Sequence, residues 1–173
     1  IDTFHSKRHS SDRQTIQQKF FRGELNILLA TSAFGMGINQ SNIRTIIHYQ
    51  LPQTLEDYVQ QIGRAGRDLQ FSRCVAFVHP DDFPQMSRKI ERSYEVEDVE
   101  ETELHQNIKE IAEAFHWNNE QKNEFIKMQR GRKLKQLRQI EEFATTSQCK
   151  EQYLAQFFGE NRTEPCGKCS SCR

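Results

Sequence analysis

Apolar residues recur along this chain in two rhythms. Up to about residue 80 the short runs Asn26–Thr31 (NILLAT), Thr45–Tyr49 (TIIHY) and Cys74–Val78 (CVAFV) alternate with amphipathic stretches. Unbroken apolar runs of that length suit strands buried on both faces. Ser11 and Asp12 are placed to cap a helix that turns Ile16, Phe20 and Phe21 inward and ends before Gly23. Thr54 with Asp57 matches a capping box opening a second helix through Leu55, Tyr58, Val59 and Ile62. Strands alternating with helices imply βαβ units on a parallel sheet, so residues 1–84 read as an α/β domain.

From about Gln85 the strand signals stop. Ile108, Ile111, Ala112 and Phe115 recur at helical spacing, and so do Leu134, Leu137, Ile140 and Ala144. Two helices packed as a hairpin would bury both stripes. The second would deliver Cys149 toward the C-terminal cysteines, and Tyr153, Leu154, Phe157 and Phe158 form an apolar patch ending at Gly159. The acidic stretch Glu95–Glu103 is expected to be a linker or an exposed helix start. Residues 85–173 therefore read as a second, helical domain.

Charge sharpens this division. The chain is neutral overall, yet residues 1–80 hold 9 basic and 6 acidic residues, 81–125 hold 5 and 13, and 126–173 hold 10 and 5. The two ends can face a polyanion and the middle cannot. No apolar run approaches membrane-spanning length and the first residues carry no signal-peptide pattern, so no membrane association or secretion is expected. The chain opens on IDTFHS without a Met, which predicts a stretch taken from a longer protein.

Four of the five cysteines are Cys149, Cys166, Cys169 and Cys172, the last three in the run CGKCSSC. Thiolates separated by two residues can converge on one tetrahedral Zn²⁺, with a fourth from upstream closing the site. Such spacing in a chain with no secretory signal reads as metal binding rather than as a disulfide framework. Cys74 lies inside an apolar run and is expected to be a small core residue.

The segment QQIGRAGRD, Gln60–Asp68, puts Arg64 and Arg67 into a glycine-bounded loop after a helix. Two guanidiniums fixed side by side suit a phosphate chain, since each fork satisfies two oxygens. A lone Gly-Arg pair would read as a solvated surface loop. Here a companion segment, TSAFGMGIN at Thr31–Asn39, also follows a buried strand, where α/β sheets bind ligands.

Together ATSAFGMGIN and QQIGRAGRD resemble motifs V and VI of superfamily 2 helicases. With the terminal CGKCSSC they are similar to the RecQ family of DNA helicases in particular. The resemblance is strong over residues 25–80 and 149–172 and weak between. It implies a RecA-like parallel sheet flanked by helices, the second of two such domains and only part of it, followed by an α-helical hairpin zinc-binding subdomain. It implies that ATP lies between the two RecA-like domains, that Arg64 and Arg67 reach its γ-phosphate, and that Gln60 lies near the nucleotide. Gly35, Gly37 and Asn39 match motif V, which couples nucleotide to DNA, and Thr31 and Ser32 match positions near the DNA backbone. Cys149, Cys166, Cys169 and Cys172 match the structural zinc ligands. Single-stranded and branched or forked DNA are the implied partners, in repair and recombination, with 3′ to 5′ polarity. The implied location is intracellular, and in the cytoplasm or nucleoid if the source is bacterial.

Three departures qualify the match. Asn39 stands where many superfamily members have Asp, Leu69 stands where many relatives have Gly, and the stretch between Gln85 and Cys149 reads as longer than in compact relatives. No GxxxxGK[ST] loop or DExH box is present, so the phosphate-binding Lys and the Mg²⁺ ligands are expected from a first RecA-like domain. This chain alone is expected not to hydrolyse ATP. Rival readings are a zinc-dependent DNA-binding module with a degenerate helicase half, or an RNA helicase or translocase of the same superfamily.

The remaining candidates stay open. Lys127, Arg130, Arg132, Lys133, Lys135 and Arg138 either grip DNA phosphates, with Lys133 and Lys135 central, or form a solvated helix face. Trp117 is expected to pack against the hairpin rather than stack on a base, and His116 is a spare nitrogen beside four sulfur ligands.

Overall fold

The computed structural model describes residues 1–32, 34, 40–95 and 103–173. Among them are four strands in two two-stranded sheets and six helices. The contacts divide the chain into two units. One comprises Ile1–Ile46 with Gln60–Val75, the other Ile47–Val59 with Ala76–Arg173.

The first unit opens as strand, helix, strand. β1 (Asp2–Phe4) pairs in parallel with β2 (Leu28–Ala30), with Asp2 opposite Leu28 and Phe4 opposite Ala30. Between them runs α1 (Ser10–Phe21), which buries Ile16, and Phe4 of β1 is buried as well. Phe34 meets Phe4 edge-on at 4.9 Å and Phe20 at 5.8 Å, closing a small aromatic core. α1 starts earlier than the sequence predicts: His9, not Ser11 or Asp12, is its N-cap, and no side chain caps it. Its end is as expected. Gly23 takes φ +74°, and the N–H groups of Gly23 and Glu24 return to the carbonyls of Phe20 and Lys19. Glycine adopts that left-handed turn without a Cβ clash.

β3 (Thr45–His48) lies beside β4 (Arg73–Ala76). Arg73 N–H donates to Arg44 O at 2.8 Å and Phe77 N–H to His48 O at 2.9 Å, a register in which both strands run the same way. The expectation of strands buried on both faces is corrected here. Leu29 is 58% exposed and Ile47 61% exposed. Cys74 is exposed as well, so it is not a core residue. Apolar pattern states what a strand can bury, but only the elements packed on each face decide what it does bury.

Helix α2 (Leu55–Ile62) begins as the Thr54–Asp57 pattern predicts. Asp57 N–H donates to Thr54 Oγ1 at 3.1 Å, and that hydroxyl donates to the Asp57 carboxylate at 2.9 Å. The second unit is then built from α3 (Asp82–Ser93), α4 (Glu103–Ala114), α5 (Asn119–Thr145) and α6 (Lys150–Phe157). Its core joins Leu51, Leu55, Phe83, Met86, Ile90, Tyr94, Leu137, Ile140 and Phe143. Ile140 is wholly enclosed.

The hairpin of α4 and α5 is present, and Ile108, Ala112, Leu137 and Ile140 are buried, but Phe115 is 70% exposed. The main partner of α5 is α3, whose Phe83, Met86 and Ile90 repeat at helical spacing. Asn118 opens α5 through a reciprocal capping box: its Oδ1 accepts from Gln121 N–H and its N–H donates to Gln121 Oε1, both at 2.9 Å. Trp117 is half-buried against Phe125, ring centres 5.0 Å apart, as a packing role predicts. Most of the predicted acidic linker, residues 96–102, lies outside the described residues.

Candidate metal centre and arginine loop

Cys149 caps the start of α6, and a loop returns through Gly159 to bring Cys166, Cys169 and Cys172 onto it. All four Sγ atoms lie within 4.8 Å of one another. Cys166 and Cys172 are 4.0 Å apart, Cys149 and Cys169 4.0 Å, and Cys169 and Cys172 3.4 Å. Sulfurs about 2.3 Å from a tetrahedral zinc stand about 3.8 Å apart, so the residues fit that ion. An all-thiolate set of four selects zinc over hard cations.

The backbone prepares the sulfurs. Cys166 N–H donates to Cys149 Sγ at 3.2 Å, Cys169 N–H to Cys166 Sγ at 3.3 Å and Lys150 N–H to Cys169 Sγ at 3.4 Å. Gly167, at φ +69°, makes the turn between the first two loop cysteines. Burial works against the Cys149 thiolate, but N–H donation from Cys166 and Gln152 prevails and holds the thiol down at about 6. Cys172 is instead pushed up to about 11 by its hydrogen bond with Cys169, because crowded thiols cannot all carry charge. A divalent ion removes that conflict, and when bound it cross-links the start of α6 to the terminal loop.

Polar side chains pin the same loop from α6. Glu151 pairs with Arg162 at 2.8 Å and Lys168 at 3.1 Å, and Gln152 donates to Thr163 O at 2.7 Å. Ser171 Oγ donates to Thr146 O at 3.2 Å. Among the described residues no histidine joins the cluster, and His116 follows the end of α4 in a left-handed conformation at φ +52°.

The arginine loop belongs to the other unit. Gly66 takes φ +64° and its N–H donates to Ile43 O at 3.0 Å. A Cβ there would stand 2.7 Å from Ser72 Oγ and 2.9 Å from Gln70 O, so only glycine fits. Arg67 is exposed and its Nε donates to Gly63 O at 3.2 Å, while Arg64 is half-buried. Asp68 closes the loop with both oxygens on Arg44. That hydrogen-bonded fork holds its carboxyl down at about 2. Arg44 lies 24 residues away, and nothing local in the sequence announces the pair.

The other predicted site residues divide by location. Gln60 is exposed near the end of α2, and Thr31 and Ser32 are exposed just after β2. Gly35, Gly37 and Asn39 lie outside the described residues. Lys133 and Lys135 are both exposed on α5, but residues two apart stand about 160° apart around a helix, so they do not form one patch. Lys127, Lys135 and Arg138 are exposed within an arc of about 80°.

Two known family models match successive stretches of the chain. The family model "Helicase conserved C-terminal domain" matches residues 1–68, and "RecQ zinc-binding" matches residues 80–173, taking in α3, α4 and α5 as well as the cysteines. The class is that of helicase C-terminal regions bearing a zinc-binding appendage. More than half of its residues fall within the second match, and the chain belongs to the RecQ family of superfamily 2 helicases. Among its relatives, the ATP-dependent DNA helicase RecQ of Bacillus subtilis is 33% identical over 98% of this chain and 23% of its own length. The proteins of that name from Pasteurella multocida and Haemophilus influenzae are 32% and 31% identical, again over 98% of this chain and 22% of theirs. The chain thus spans less than a quarter of the length of these relatives.

Proposed function

We propose that this chain supplies the second RecA-like domain and the zinc-binding region of an ATP-dependent DNA helicase. The observation that carries the reading is the succession, in one chain, of a helicase C-terminal match and a RecQ zinc-binding match, each around its own preorganised site. The reaction would be ATP hydrolysis driving 3′ to 5′ movement along single-stranded DNA and separation of forked or branched duplexes.

In this reading the nucleotide and Mg²⁺ are held mainly by a first RecA-like domain with a phosphate loop. Arg64 and Arg67 act on the γ-phosphate from the Gly63–Asp68 loop, where two guanidiniums stabilise charge developing in the transition state. Gln60 contacts the nucleotide. Gly35, Gly37 and Asn39 pass its state to DNA, whose backbone lies along Thr31 and Ser32. Lys135, with Lys127 and Arg138 on its face of α5, holds phosphates further along, and Lys133 meets them only where the strand wraps around the helix. The metal centre has a structural role.

The test uses the protein in which this chain is joined to its phosphate-loop domain. Arg67→Ala should leave ATP binding within a few-fold of normal while DNA-stimulated hydrolysis falls by about 10³-fold or more. Near-normal turnover removes the arginine assignment. Duplexes with a single-stranded tail on one side only would check polarity.

A further inference from the structure

Lys150 stands between the metal centre and the longest helix and touches both. Its ammonium has three N–H donors, and three carbonyls at the end of α5 receive them: Phe143 at 2.7 Å, Ala144 at 3.1 Å and Thr146 at 2.8 Å. The same ammonium lies 5.5 Å from the centre of the Phe143 ring. At its other end the backbone N–H of Lys150 donates to Cys169 Sγ, and the residue before it is Cys149.

A helix leaves its last four carbonyls without intrahelical partners, and its C-terminus carries partial negative charge. Many helices close that end with a glycine turn. Here the cap is Thr146 in an extended conformation, φ −61° and ψ 142°, and the cation comes from Lys150, beyond the helix. The backbone that carries this ammonium is tied to the cysteine cluster twice, by its N–H on Cys169 Sγ and by the peptide bond to Cys149.

We propose that Lys150 is a positioning residue that links metal occupancy to the order of the last turn of α5. The proposal rests on the zinc reading of the four cysteines. A bound metal fixes Cys149 and Cys169, hence the backbone between and beside them, and the side chain then meets its three carbonyls without a search. Linkage makes the effect reciprocal: an ordered end of α5 strengthens metal binding by the same factor. Phe143, beneath the ammonium, belongs to the helical core, so the metal centre supports α5 and not the terminal loop alone.

The experiment measures zinc content, then zinc affinity by competition with a chromophoric chelator, then amide hydrogen exchange in zinc-loaded and chelated protein. Removing zinc should speed exchange of the Phe143–Thr146 amides together with those of the cysteine loop. In Lys150→Met, which keeps the apolar stem without donors, zinc affinity should fall about tenfold or more, and the same amides should exchange fast with zinc bound. Lys150→Arg should restore part of that protection, and Lys89→Met, exposed on α3, should change neither quantity. Zinc affinity within twofold of normal in Lys150→Met overturns the link. If that variant does not fold, the unaltered chain decides: protection of Phe143–Thr146 that survives zinc removal also overturns it. Protein that takes up no zinc defeats the metal reading itself, a separate failure seen at the first step.

Discussion

Arg44 forks onto Asp68, with Nη1 2.9 Å from Oδ1 and Nη2 bonded to Oδ2, and so ties the residue before β3 to the last residue of the arginine loop. Asp68 Oδ1 also accepts from Gln70 N–H at 3.1 Å, which fixes the chain leaving the loop. The pair lowers the Asp68 carboxyl from its usual 3.8 to about 2. A depressed folded value adds stability above the unfolded pKa, and that contribution is lost as pH falls through the folded one. Melting temperature should therefore carry an Asp68-dependent decline between about pH 4 and pH 2, and Asp68→Asn should flatten it. An unchanged acid limb in that variant would show that the fork contributes nothing in solution.

Gly66→Ala should destabilise the chain by about 1–3 kcal/mol, since it combines a left-handed backbone with contacts closer than any Cβ tolerates. Adding Ser72→Ala removes the side-chain contact but leaves Gln70 O at 2.9 Å and φ at +64°, so the double variant should recover only part of the loss. Urea unfolding of the two variants separates strain from crowding.

Leu69 is 95% exposed and holds φ +63°, a conformation that costs a side chain bearing a Cβ about 1 kcal/mol or more. Leu69→Asn, which tolerates that region, should raise stability by up to about 1 kcal/mol. A loss of stability on that change would mean that Leu69 packs against something in solution.

Cys166→Ser should remove zinc and unfold the terminal loop, because structural sites of this kind carry roughly 10–16 kcal/mol of apparent binding free energy in peptides. Protons compete with the metal for thiolates, so zinc affinity should fall as pH is lowered. Inductively coupled plasma analysis after dialysis at stepped pH would reveal this. The Arg44–Asp68 fork, in the other unit, should persist in Cys166→Ser, and its acid limb offers the check.

Local chemistry was legible in the residues. The Thr54–Asp57 cap, the turn at Gly23 and the spacing within CGKCSSC each depend on neighbours within a few positions. Backbone geometry and side-chain reach alone settle them. The Asn118–Gln121 box is equally local, since its three-residue spacing is the capping pattern itself. Periodicity also announced helices through Ile108–Phe115 and Leu134–Ala144, but not that α5 would reach back to Asn119 or take α3 as its chief partner.

Read along the chain, the residues already carried the family resemblance, four cysteines at metal-ligand spacing and a glycine-bounded loop with two arginines. Only folding brings Arg44 to Asp68 and seats the Lys150 ammonium on three carbonyls at the end of α5, and it encloses Ile140 while Leu29 and Ile47 stay open to solvent. Burial and long-range pairing depend on which surfaces are brought together, and a one-dimensional pattern holds the propensity for such contacts without the choice among them.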